Sequence, residues 1–301
     1  MSFQAETIVL VAGLGKDLKE RLSIVVIAGV IMAVVGGFGL MEATMAFIGD
    51  TILAGMLAGV GIILARSGVD LAKEHLPSGV ISFVVAIGVF AFTDNVAYMI
   101  AASVICATVV YVLTGKGQAG QETTASLETT KFGSKLTLHP PILNSWHVWR
   151  GALAVCCLQI GGNISYGTIT AQIANMPPPV DKLTVMSALA DIVSALFGGS
   201  PIEGIISATA AAPHPVSAAV VLMLIMAAIL IVGLLPKLAR YIPVSAAAGY
   251  LFVLGAFLVV PDNMLAALAV DPLVGTMTAV VTAISDPFIG MLAGLLTRFL
   301  M

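Results

Sequence analysis

The sequence predicts an all-α integral membrane fold built as an inverted repeat, and three observations carry that prediction. Of 301 residues, 59% are hydrophobic and 10% charged, against about 25% charged in a soluble domain, and the mean hydropathy is +1.08. Apolar runs of helix length recur from end to end of the chain. Residues 39–61 also align on residues 233–255 without a gap. Water is not the solvent for such a surface, so the partner of most side chains is the lipid bilayer.

In chain order, residues 22–41 form the first span, an apolar run of the roughly 20 residues that cross a hydrocarbon core as a helix. Further spans are predicted at 51–66, 79–92 and 95–113. A polar stretch rich in Gly, Thr and Lys, residues 115–145, reads as a linker. Spans follow at 151–172, 183–199, 216–235, 243–260, 268–284 and 286–300, several of them short and rich in glycine. Two segments are too short or too interrupted to be ordinary spans: residues 2–15, and residues 201–212, which are bounded by Pro201, Pro213 and Pro215. Broken helices of this kind are expected where unwound backbone lines a cavity.

The repeat is read by placing Gly39 on Gly233. Leu40 then meets Leu234, Ile48 meets Ile242, Thr51 meets Ser245, Gly55 meets Gly249 and Gly61 meets Gly255. The two broken segments become partners on this register, and paired interruptions in two halves point to a binding site. The chain divides into a first repeat, 1–113, a polar linker, 114–147, and a second repeat, 148–301. Spans 151–172 and 183–199 have no counterpart in the first repeat, giving five helical segments against seven, about 12 in all. An odd number per unit inverts the second repeat in the membrane.

Several function classes lack support. The first fifteen residues have neither a basic start nor a small-residue cleavage site, so the helices themselves are expected to direct insertion. Cys106, Cys156 and Cys157 sit in apolar runs and read as packing residues, and the four histidines make no metal set. There is no basic stripe with aromatics for nucleic acid, no nucleotide-binding loop and no nucleophile elbow, so no cofactor and no enzymatic activity are expected. The pentapeptide GMLAG occurs at 55–59 and 290–294, giving two GxxxG faces. They predict packing within the chain ahead of a homodimer seam.

A carboxylate inside a membrane is costly and by default marks function. Glu203 follows Pro201 at the entrance to the second broken helix, where free amides and a positive helix end suit a polar solute. It is a candidate for substrate binding and for ion coupling. Asp191, midway along 183–199, is a second coupling candidate, with a structural hydrogen bond to a neighbouring helix as the competing reading. Gln4 and Glu6 lie on the short N-terminal segment that the repeat places across from Glu203.

With these segments in view, the chain resembles the nucleobase-cation symporter superfamily, the xanthine, uracil and hypoxanthine-guanine permeases. IGDTILAGMLAGVGIILARSG at 48–68, FGGSPIEGIISATAAAPHP at 197–215, GLLPKLARYIPVSAAAGYLFVLGA at 233–256 and TAVVTAISDPFIGMLAGLL at 278–296 carry the resemblance. It implies a 7+7 inverted repeat with core and gate domains, on which this chain starts at the third helix, and a secondary transporter of nucleobases driven by H+ or Na+. Two glutamates of that family contact base and ion. Carried over, their positions fall on Ser207 and on Gln159, or Asn163 if a gap is moved, so neither carboxylate is matched and the polar side chains remain as base-binding candidates. A same-fold transporter of a small anion such as sulfate or bicarbonate, a truncated non-transporting fragment, and an intramembrane enzyme or channel are the alternatives. Alternating spans place all but Lys182 and Arg298 of the thirteen basic residues on one face, which the positive-inside rule makes cytoplasmic and the family arrangement does not.

Overall fold

A computed structural model describes residues 2–3, 5–114, 138–173, 176, 180–203, 212–233 and 242–300. Among the described residues there are twelve helices and one two-stranded ribbon. The helices are α1 (Ala5–Leu14), α2 (Leu18–Gly37), α3 (Met41–Ile48), α4 (Asp50–Glu74), α5 (Leu76–Thr93), α6 (Val96–Leu113), α7 (Trp146–Ile173), α8 (Val180–Leu196) and α9 (Pro215–Ile231). A continuous α10 (Val244–Val270), α11 (Pro272–Ile284) and α12 (Pro287–Leu300) complete the set. The ribbon pairs β1 (Ser2–Phe3) with β2 (Ile202–Glu203). The linker predicted over 114–147 lies largely outside the described residues.

α4, α5 and α10 are each long and apolar enough to cross a bilayer. α2 followed by α3 passes the same test as a bent pair, with a bend of 105°. Several predicted boundaries move, the span predicted at 51–66 running on to Glu74. Residues 41–48 form a helix of their own, and the span predicted at 243–260 runs on to Val270 through a π-helical turn at Leu254–Val259. No residue of α9 is buried, although it reads PVSAAVVLMLIMAAILI. A helix apolar on every side and uncovered by protein is a surface for lipid rather than water.

The repeat is visible in the backbone. On the register that places Gly39 on Gly233, the last residue of α2, Gly37, falls on the last residue of α9, Ile231. The first residue of α4, Asp50, falls on the first of α10, Val244. Gly39 and Gly233 share a left-handed conformation, with φ of +66° and +69°. Gly39 donates to Gly36 O at 3.1 Å and Leu40 to Val35 O at 2.9 Å, the paired bonds that end a helix with a left-handed residue. Gly233 makes the equivalent bond to Leu230 O at 3.0 Å. A Cβ would strain this conformation, and so both repeats spend a glycine here.

The chain folds as two compact units, one of residues 1–62, 136–219 and 259–301, the other of 63–135 and 220–258. In the first, α2 runs against α8 with Gly29 facing Ala188, Asp191 and Ile192 and Gly36 facing Asp181, Thr184 and Val185. Ile24 of α2 packs against Gly151 of α7, and the fully buried Met32 and Leu158 belong to the same core. Cys156 and Cys157 are buried there as free thiols, the Cys156 thiol donating to Ala28 O at 3.7 Å. Both GMLAG faces bear on one helix of this unit. Gly55 and Gly59 of α4 abut Thr278 and Thr282 of α11 from one side, and Gly290 and Gly294 of α12 abut the same two threonines from the other. Arg298 reaches the end of α3, its Nη1 donating to Ile48 O at 3.4 Å.

In the second unit the buried Ala86, Met99 and Val253 join α5, α6 and α10. Ser82 of α5 sets the start of α10: its hydroxyl donates to Ala246 O at 2.8 Å and accepts from Gly249 N at 2.9 Å. Gly249 lies so close to the Ser82 carbonyl that a side chain has no room.

Candidate functional site

The site is assembled at the end of α8. The helix stops at Leu196, Gly198 takes a left-handed φ of +83°, and Gly199 donates back to Ser194 O at 2.7 Å. The chain therefore reverses and returns along the helix that it has just left. Ser187, Asp191 and Ser194 stand at i, i+4 and i+7, one face of α8. Each takes a backbone group of the returning strand. Ser194 Oγ donates to Ser200 O at 2.7 Å, Ser187 Oγ donates to Ile202 O at 3.0 Å, and Asp191 Oδ1 accepts from Ile202 N at 2.5 Å.

The second oxygen of Asp191 accepts from Gln159 Nε2 of α7 at 2.6 Å. Asp191 and Gln159 are 0% and 1% exposed, and Gly29 of α2 brings its backbone against the Asp191 side chain. A carboxylate without water needs donors for its oxygens, and here both oxygens have one.

On its other edge β2 pairs antiparallel with β1, Phe3 opposite Ile202 and Ser2 opposite Glu203. β1 is followed directly by α1, whose first residue is Ala5. The extreme N-terminal segment and the segment at 201–203 are thus brought together, with the positive end of a ten-residue helix beside them. Among the described residues no group of three or more His, Cys, Asp or Glu is placed to hold a metal ion.

Of the predicted site residues, Asp191 and Gln159 meet directly, and Asp191 binds the residue before Glu203. Glu203 is placed by its backbone in β2, Glu6 in the first turn of α1, and Asn163 on α7 one turn beyond Gln159. Their side chains, together with Gln4 and Ser207, lie outside the described residues. Sequence reading overlooked Ser187 and Ser194, although the spacing S-x3-D-x2-S already placed three polar groups on one face of a helix that is apolar elsewhere beyond its first turns. It also overlooked Asp286, whose Oδ1 accepts from Ile289 N at 2.9 Å to cap α12. The signal was Asp-Pro opening a helix.

No protein-family model matches this chain, and no curated protein matches it. Its structure is similar to the transmembrane domain of a cyanobacterium bicarbonate transporter, BicA, with a TM-score of 0.60 and 16% sequence identity over 96% of this chain and 80% of that one. The chain therefore has the inverted-repeat fold of a membrane transporter domain and is a multi-pass membrane protein. The resemblance to nucleobase-cation symporters is corrected by this finding, since the solved domain found similar to this chain is one of a bicarbonate transporter. The physical reason is that the segments behind the resemblance record helix packing and backbone breaks. Glycine seams, a broken helix and a final helix pair belong to the architecture, whereas the two carboxylates that would have contacted a base were never matched.

Proposed function

We propose that this chain is a secondary transporter, not an enzyme, and that it carries a small oxyanion of the bicarbonate or sulfate kind across the bilayer. The observation that carries the reading is the β1–β2 pair, which sets the start of α1 beside the broken segment in a fold similar to that of a bicarbonate transporter's transmembrane domain. Free amides at the start of a helix are donors with no partner inside the helix, and the helix dipole favours negative charge there. Sulfate offers only acceptors around its rim and bicarbonate a single O–H beside its acceptors, which matches donors supplied by backbone. A nucleobase offers donors and acceptors together and needs side chains of both kinds.

Glu203 supplies the opposite requirement. A carboxylate next to an anion site repels the anion unless a cation accompanies it, so we assign Glu203 to the coupling ion, H+ or Na+. The test is uptake of radiolabelled sulfate and bicarbonate into proteoliposomes under an imposed H+ or Na+ gradient, with sulfate as the probe that does not exchange with carbon dioxide. Gradient-dependent oxyanion uptake, abolished in Glu203→Gln, is expected. Accumulation of labelled uracil or hypoxanthine with no oxyanion uptake would overturn the reading.

A further inference from the structure

β2 has two edges, and they are satisfied in different ways. β1 covers one edge, with Ser2 opposite Glu203. Along the other, the amide and the carbonyl of Ile202 are both taken by side chains of α8, Asp191 and Ser187, and the Ser200 carbonyl is taken by Ser194. A lone two-stranded ribbon is marginal even in water, and an open strand edge is not tolerated where water is absent. The polar face of α8 does the work of a third strand.

This arrangement fixes more than stability. Both backbone groups of one residue are held by helix positions a single turn apart, so β2 cannot slide by a residue without losing both bonds. A one-residue slip would also turn Glu203 to the opposite face of the ribbon. Asp191 is the centre of the clamp, because its second oxygen is tied to Gln159 of α7 and α2 closes over it at Gly29.

We propose that Asp191 is the positioning residue that sets the register of β2 on β1, and hence the place of Glu203, and that it takes no part in ion coupling. Both of its oxygens are occupied by neutral N–H donors in a fully buried setting, which leaves no oxygen facing a permeating ion. What the register serves rests on the transporter reading above. The clamp itself stands on the geometry.

The experiment uses the full chain in proteoliposomes. Asp191→Asn keeps an acceptor for the Ile202 amide, and its new N–H can donate to Gln159 once that carboxamide turns over. Oxyanion uptake in this variant should retain the cation dependence of the parent, with KM raised about five-fold for the loss of a charge-assisted bond. Ser187→Ala should raise KM similarly, and Ser187→Thr should restore it. Register is read without transport by introducing Ser2→Cys with Glu203→Cys, which face each other in the ribbon, and following loss of thiol reactivity on oxidation. Cross-linking should proceed in Asp191→Asn as in the parent and at least about ten-fold more slowly in Asp191→Ala. If Asp191→Ala fails to insert, Ser187→Ala carries this arm and should also slow it. A changed cation dependence in Asp191→Asn with intact cross-linking would overturn the proposal, as would undiminished cross-linking in Ser187→Ala. Absence of oxyanion uptake in the parent would sink the transporter reading alone, because the cross-linking rates still decide the register.

Discussion

Arg150 of α7 closes on Asp286 at the start of α12, with Nε 2.7 Å and Nη2 2.5 Å from the same Oδ2, and Asp286 is fully buried while the arginine side chain is 33% exposed. The pair is unequal, since one partner keeps access to solvent and the other has none. Arg150→Ala leaves a buried carboxylate without a counter-charge and should cost about 3 kcal/mol. Asp286→Asn keeps the oxygen that caps Ile289 and frees an arginine that can hydrate, so about 1 kcal/mol is expected. Thermal unfolding in detergent should rank the two in that order, and equal losses would contradict it.

The threonine stripe of α11 predicts a coupled pair of substitutions. A methyl added at Gly290 collides with Thr282 Oγ1, and one added at Gly59 collides with Thr282 Cβ. Gly290→Ala should cost about 2 kcal/mol through overpacking. Thr282→Ala should recover most of that loss in the double variant, because it removes Oγ1, the atom that the new methyl meets most closely. A double-mutant cycle on unfolding free energies with an interaction close to zero would rule this contact out.

Gly39 and Gly233 should respond alike. Each holds a left-handed φ at a helix end, and Ala at either position is expected to cost about 1 kcal/mol, with Asn cheaper than Ala. Stability measurements on the four single variants test this. A large loss at one site with none at the other would break the equivalence of the two repeats.

Ser82 should be the most sensitive small polar residue of the second unit. Its hydroxyl serves Ala246 O and Gly249 N at once, and Ser82→Ala leaves a buried N–H unsatisfied for about 2 kcal/mol. Faster amide exchange at the start of α10 is the local signature expected. Unchanged exchange there would show that the turn closes without Ser82.

Where the sequence was sufficient, the reason is that a single physical pattern was decisive. The apolar length of residues 22–41 and the surface of α9 require lipid whatever surrounds them. The glycines at 39 and 233 mark the same helix end in both halves because no other residue enters that conformation freely. The clamp on β2 was only half legible. Asp191 stood out as a charge in an apolar run, and a bond to a neighbouring helix, here through Gln159 of α7, was one of its two readings. Its other partner proved to be a backbone amide, which no side-chain pattern announces. The family was misread for a related reason. GMLAG and the segment at 197–215 describe how helices approach and where they break, and such features are shared by carriers of quite different solutes.

The strands of the β1–β2 ribbon come from residues about 200 positions apart. During synthesis, therefore, the amides and carbonyls of Ser2 and Phe3 have no strand to pair with until Ile202 and Glu203 leave the ribosome. Either the first segment waits in a hydrated environment while most of the helices insert, or another group shields it meanwhile. The long-range pairing makes closure of the ribbon a late folding event. A chain interrupted anywhere before the end of α8 would insert helices and still lack this exchange of backbone bonds between its two halves.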